Sequence, residues 1–219
     1  MSGSLKEVRQ RIRSVQNTQQ ITKAMKMVSA AKLRRAQTAI QQMRPYAEKQ
    51  EQMLRNVLSN LGDGATDVTI FSKERPVERV CLVIVTSNRG LCGAFNTNIN
   101  KAMQARLESE YRELYEQGKV TLLPIGKKGY EYFAKRYPKL HIITDYIELF
   151  NKLNFDSSTQ VANLLMDAFA AGQYDRVLVA YGHFKNAVSQ YPTIEQWLPV
   201  PPLEAQEGTQ SRADYIFEP

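Results

Sequence analysis

No Asp or Glu occurs between Val8 and Ala47, a stretch that holds nine Lys or Arg. A solvated helix normally interleaves acids with bases, so a run of one sign excludes a self-sufficient helix and calls for an acidic partner. The same region lacks glycine from Ser4 to Asn60, has one proline, Pro45, and has no aromatic residue before Tyr46. Two cysteines in 219 residues exclude a disulfide framework, and Cys81 and Cys92 have no metal-ligand spacing. Both are expected reduced, in or near a core, in a cytosol-facing compartment. No apolar run approaches membrane-spanning length; VCLVIV at 80–85 is strand-sized. The start, MSGSLKEVRQ, lacks the apolar segment of a secretory signal.

What is present is unevenly placed. The net charge is +7, yet residues 1–60 hold twelve bases against three acids, and the remainder carries a small negative balance. Nucleic acid, an anionic membrane surface or an acidic protein would each answer that asymmetry. Residues 4–60 are rich in Gln, Ala, Lys, Arg, Met and Leu, all good helix formers. Ser4 with Glu7 fits a capping box, and Gly62 and Gly64 fit a stop. A rod of about 85 Å is predicted, far longer than a globular helix.

Its apolar spacing reads as a coiled-coil seam. Leu5, Val8, Ile12 and Val15 step by three and four, and the same count reaches Leu33, Ala36, Ile40, Met43, Ala47, Leu54, Val57 and Leu61. A phase held at 3.5 residues implies a left-handed supercoil with a second helix. Pro45 lies inside the pattern without shifting its phase, which predicts a kink rather than a break. Between the two halves the seam fails. Its positions fall on Gln19, Thr22, Lys26 and Ser29, while Ile21, Met25 and Val28 lie one residue earlier, turned by about 100°. Either this is a weak patch that sets register, or the stripe, with Lys23, Lys26, Lys32, Arg34 and Arg35 around it, faces something other than the coiled-coil mate.

After GDGATD the composition changes. ERVCLVIVTS (78–87), VTLLPIG (120–126) and DRVLVAYGHF (175–184) are buried-strand runs. Helices are expected from about 97 to 116, 127 to 137 and 157 to 172, the last with a Ser/Thr start and a Gly stop. LHIITDYI is a weaker strand, and YPTIEQWLPV an edge strand or hairpin arm. The expected fold is α/β: a long N-terminal coiled-coil helix plus a Rossmann-like domain with a mainly parallel sheet. The division is residues 1–62 as helix, 63–77 as linker and 78–219 as α/β domain.

Chemistry is thin. SNRGLCGAFN sits where a strand feeds a helix, the phosphate-binding place of doubly wound folds, but it has neither GxGxxG nor a P-loop. Gly90 and Gly93 read better as a tight turn with close helix–strand packing. His141 and His183 belong to no metal cluster or triad, and Ser87, Cys92 and Asp145 lack a base and an orienting group. No catalytic, cofactor or metal residue is assigned.

LKEVRQRIRSVQNTQQITKAMKMVSAAKLRRAQ, RPYA at 44–47 and TSNRGLCGAFN together resemble the gamma subunit of F-type ATP synthases, over essentially the whole chain. That resemblance implies a non-catalytic rotor shaft turning inside a ring of alpha and beta subunits, coupling proton flow to ATP synthesis or hydrolysis. It implies a foot touching the epsilon subunit and the c-subunit ring, on the cytoplasmic side of a bacterial inner membrane or the matrix or stromal side of an organelle. Ile21, Lys23, Met25, Lys26 and Val28 are similar to the family's contact with an acidic loop of beta. The family continues into a C-terminal helix, whereas this sequence stops at ADYIFEP. A shortened or processed form is therefore expected, with the seam's mate absent from it. The alternative outside this family is a basic coiled-coil nucleic-acid-binding protein.

Overall fold

The computed structural model describes residues 2–60, 70–186 and 189–201, with side chains in the first segment described from Ser4 to Leu54. The chain divides into two compact units, one formed by the N-terminal helix and the other containing residues 70–201.

Helix α1, Ser2–Asn60, runs 59 residues without interruption through Pro45. It begins two residues before the expected cap, so Ser4 and Glu7 lie inside it and do not box its start. Helix ends are free to shift by a turn fraction where no side chain pins them. The expected stop at Gly62 and Gly64 and the seam position Leu61 lie outside the described residues, as does the Val57 side chain.

The second unit is a five-stranded sheet with helices on both faces. Its elements are β1 (Val80–Val85), α2 (Phe95–Glu110), α3 (Arg112–Glu116), β2 (Val120–Ile125), α4 (Lys127–Arg136), β3 (His141–Ile142), a 3₁₀ turn (Leu149–Lys152), α5 (Phe155–Ala170), β4 (Arg176–Phe184) and β5 (Gln190–Leu198). The order across the sheet is β3-β2-β1-β4-β5. Pairs β2–β3, β1–β2 and β1–β4 are parallel; only β4–β5 is antiparallel. The edge position expected for YPTIEQWLPV follows, and it accommodates Pro192, which has no N–H to give to a ladder.

VCLVIV occupies the centre, and strand alternation splits it between two cores. Val80, Leu82 and Ile84 pack with Ile99, Met103, Leu107 and Phe133 on the α2–α4 face. Cys81 and Val83 pack with Val161, Leu165, Phe169 and Val177 on the α5 face. At about 1.5–3 kcal/mol for each fully buried large apolar side chain, this strand anchors the unit.

Four expectations need correction. The helix placed at 97–116 is interrupted at Tyr111, which takes φ −118° and ψ 15° and drops into the α2–α4 core. Burial of that ring breaks the regular helix at this one residue, although the Tyr111 N–H still donates to the Leu107 carbonyl. Helix α5 starts at Phe155 rather than Ser157, capped by Asn154, whose Oδ1 accepts from the Ser157 N–H at 2.8 Å while Ser157 Oγ accepts from the Asn154 N–H at 3.1 Å. LHIITDYI gives only a two-residue strand. Cys81 is buried, its thiol pushed up to about 12 by desolvation, but Cys92 is exposed because it lies in the turn that carries the chain out of β1.

Candidate interaction surfaces

Along α1 every described side chain is exposed except Gln37, which is half-buried. The seam residues Leu5, Val8, Ile12, Val15, Leu33, Ile40 and Met43 are all exposed, Leu5 at 65%. Ala36 on the same seam is exposed too. The displaced stripe is equally bare, with Ile21 at 62% and Met25 at 60%, and Val28 beside them. An isolated helix of this length has no core of its own, so its apolar surface is available to partners.

Helical geometry sharpens the arrangement. At about 100° per residue, Ile21, Met25 and Val28 fall within a 60° arc, and Lys32 and Arg35 continue that arc one to two turns later. Lys26 lies about 130° from its centre and Lys23 nearly opposite. A partner docking on one face meets the apolar stripe and then Lys32 and Arg35. Only a partner that grips the helix from several sides also meets Lys23 and Lys26. At the seam failure, Thr18 Oγ1 donates to the Ser14 carbonyl at 3.0 Å and Thr22 Oγ1 to the Thr18 carbonyl. These hydroxyls are satisfied along their own helix.

The loop after β1 is braced by one residue that sequence reasoning passed over. Asn96 Oδ1 accepts from the Ser87 N–H at 2.9 Å, and its Nδ2 donates to Ser87 Oγ at 2.8 Å and approaches Cys92 Sγ at 3.1 Å. Ser87 Oγ in turn donates to the Arg89 carbonyl. Asn96 lies nine residues after Ser87 with no periodic signature, so only the folded turn reveals the pairing. The brace holds Leu91 at φ 62° with its side chain fully exposed, an unusual conformation for a bulky residue.

The glycines here serve the backbone rather than a phosphate. Gly93, at φ 58°, makes the turn as expected, but nothing lies within 4 Å of where a Gly90 side chain would start. Close packing falls elsewhere. A Cβ on Gly126, at φ 110°, would stand 2.0 Å from the Thr86 carbonyl oxygen, and one on Gly182 would stand 2.4 Å from Phe95 Cε2. The Thr86 main chain thus packs against the end of β2 and the Phe95 ring against β4; a cleft of about 320 Å³ lies beside Cys92, Phe95 and Tyr191. His141, His183 and Asp145 are exposed. Among the described residues no cluster of His, Cys, Asp or Glu could hold a metal.

A family model described as ATP synthase matches residues 4–219. The ATP synthase gamma chain of Cytophaga hutchinsonii is 49% identical over 218 residues, covering 99% of this chain and 72% of that relative. The chain belongs to the ATP synthase gamma-chain family. The gamma chain of Flavobacterium psychrophilum is 46% identical with the same coverage. Among solved structures, the central stalk and c-ring of the Tetrahymena thermophila mitochondrial ATP synthase matches with a TM-score of 0.57 and 28% identity, over 82% of this chain and 72% of that one. Gamma chains are the rotor subunits of the synthase and are not catalytic; catalysis resides in the beta subunits. No described helix is long and apolar enough to cross a membrane. The nucleic-acid alternative gains nothing from these matches.

Proposed function

We propose that this gamma chain transmits torque through α1, turning within a ring of alpha and beta subunits. The observation that carries this reading is a 59-residue helix whose two apolar stripes are both exposed and offset from each other around its axis. The seam through Leu5, Val8, Ile12, Val15, Leu33, Ala36, Ile40 and Met43 grips a second helix. Ile21, Met25 and Val28, with Lys23 and Lys26 reached from the other sides, meet acidic loops of beta. Cationic side chains there form charge-assisted contacts, strongest where water is excluded. Rotation of this asymmetric shaft changes the relative stability of successive catalytic conformations.

Residues 1–62 then act as shaft, 63–77 as linker and 78–219 as the foot of the central stalk, against the epsilon subunit and the c-subunit ring. The complex lies on the cytoplasmic face of a bacterial inner membrane, or the matrix or stromal face of an organelle. Co-purification tests the assembly: the chain brings alpha and beta subunits with it, and recovery without them overturns the reading. Met25→Lys tests the contact. Placing an ammonium in a desolvated apolar contact costs several kcal/mol, so ATP-driven proton pumping by the assembled variant should fall severalfold. Unchanged pumping removes Met25 from the interface.

A further inference from the structure

The side of α1 that carries the first turns of the seam also carries the cations that the displaced stripe leaves out. Leu5, Val8, Ile12 and Val15 are each more than half exposed. At about 100° per residue they fall within an arc of about 80°. Arg9 and Arg11 stand about 80° to either side of its centre, where long side chains reach a surface that the arc enters. Further along the same side, Lys23 lies about 40°, Lys26 about 20° and Arg34 about 60° from that centre line. All five cations are exposed. Glu7, the one acid before Glu48, lies about 120° away. One side of the helix thus presents an apolar patch and then cations over about 44 Å, with no acid among them.

The displaced stripe is built differently. Ile21, Met25 and Val28 point about 150° away from the first arc and are flanked by Thr18, Thr22, Ala24 and Ser29 rather than by cations. A flat surface that takes the first arc leaves this stripe facing away.

An anionic lipid bilayer matches the first side on both counts. Its headgroup region takes up an apolar helix face to a shallow depth, and its phosphates attract cations held close to the surface. Nucleic acid would use the cations but offers the apolar arc nothing to enter. Nine bases without an acid between Val8 and Ala47 supply the field that draws the chain to such a surface.

We infer that, outside the assembled ring, α1 docks along an anionic lipid bilayer through the side that bears the Leu5–Val15 arc, its five cations meeting lipid phosphates. In the rotor reading the seam grips a second helix, so lipid and that helix exclude one another. The docking itself does not depend on that reading.

Co-sedimentation of the full 219-residue chain with vesicles tests this, using phosphatidylcholine alone and phosphatidylcholine with phosphatidylglycerol at about 7:3. The chain should bind the mixed vesicles and not the neutral ones. Lys23→Gln combined with Lys26→Gln should weaken binding about thirtyfold, and Ile12→Asn about tenfold. Met25→Asn, on the side turned away, should bind as the parent does. If circular dichroism shows that Ile12→Asn loses helix, Val15→Ala decides in its place. Equal binding to neutral vesicles, or none to the mixed ones, overturns the proposal. Parental binding by Ile12→Asn reduces it to charge adhesion and overturns the docked arc, and a loss in Met25→Asn equal to that in Ile12→Asn overturns the assigned side. A DNA duplex that holds the chain more tightly than the mixed vesicles, and Ile12→Asn equally well, makes nucleic acid the occupant instead.

Discussion

Helix α1 and the α/β unit bury their apolar residues by opposite means. In the α/β unit, β1 is covered on both faces, and Val80, Leu82, Ile84, Met103, Phe133 and Phe169 are all but inaccessible to water. In α1, residues of the same chemistry, Leu5, Ile12, Ile21 and Met25, stand more than half exposed. The α/β unit carries its own core within one chain; α1 is a surface whose burial must come from elsewhere. Most helical stability in proteins comes from packing an apolar face rather than from propensity. The contrast therefore says that α1 is completed by assembly, while the α/β unit is complete as folded.

The largest effect should come from striking the two regions equally. Phe169→Ala opens a cavity beneath α5 and should lower unfolding stability by about 3–5 kcal/mol. Ile12→Ala, on the exposed seam, should change it by no more than about 0.5 kcal/mol in the isolated chain. Urea unfolding followed by near-ultraviolet circular dichroism compares them, and equal losses would mean that α1 has a core of its own.

A smaller contrast lies within the α/β unit. Gly126→Ala combines a left-handed backbone with an approach of 2.0 Å to the Thr86 carbonyl, so something must shift. A loss of about 2–4 kcal/mol is expected. Gly90→Ala meets open space and should be neutral within about 0.5 kcal/mol. Thermal denaturation of the two variants measures the difference.

The smallest effect is electrostatic. The Tyr137 hydroxyl, followed by the Gln104 amide, holds the Glu108 carboxyl below its ordinary value of 4.5. A carboxyl depressed on folding contributes stability above its unfolded value, and that contribution is lost as pH falls through the folded one. Tyr137→Phe should therefore lower stability slightly in the neutral range and flatten its fall below about pH 4.5, the two proteins converging in acid. Melting curves at pH 3 to 7 would show this, and an unaltered acid slope would remove the hydroxyl as the cause.

Much of this molecule is legible in short-range spacing. The long helix, the seam and the displaced stripe all arise from steps of three and four residues, and the buried strands announce themselves as β-branched runs. Even the α5 cap is present as Asn154 followed three residues later by Ser157, though the serine, itself a good start signal, points to a helix two residues shorter. Tyr111 was not legible as a break, because Arg112 to Glu116 continue a good helical composition and only the core's demand for the ring interrupts it. Cys92 likewise sits within an apolar stretch, and its exposure depends on which way the turn after β1 leads.

The sequence by itself determined that one end is a basic helix in need of partners and the other an α/β sheet, because periodicity and charge are properties of neighbouring residues. The tertiary structure alone decided that β1 lies at the centre, that Thr86 fills the space beside Gly126, and that Arg75 closes on Asp175 across a hundred residues of chain. Those pairings join side chains that no spacing rule relates, brought together when the sheet collapses around its two cores.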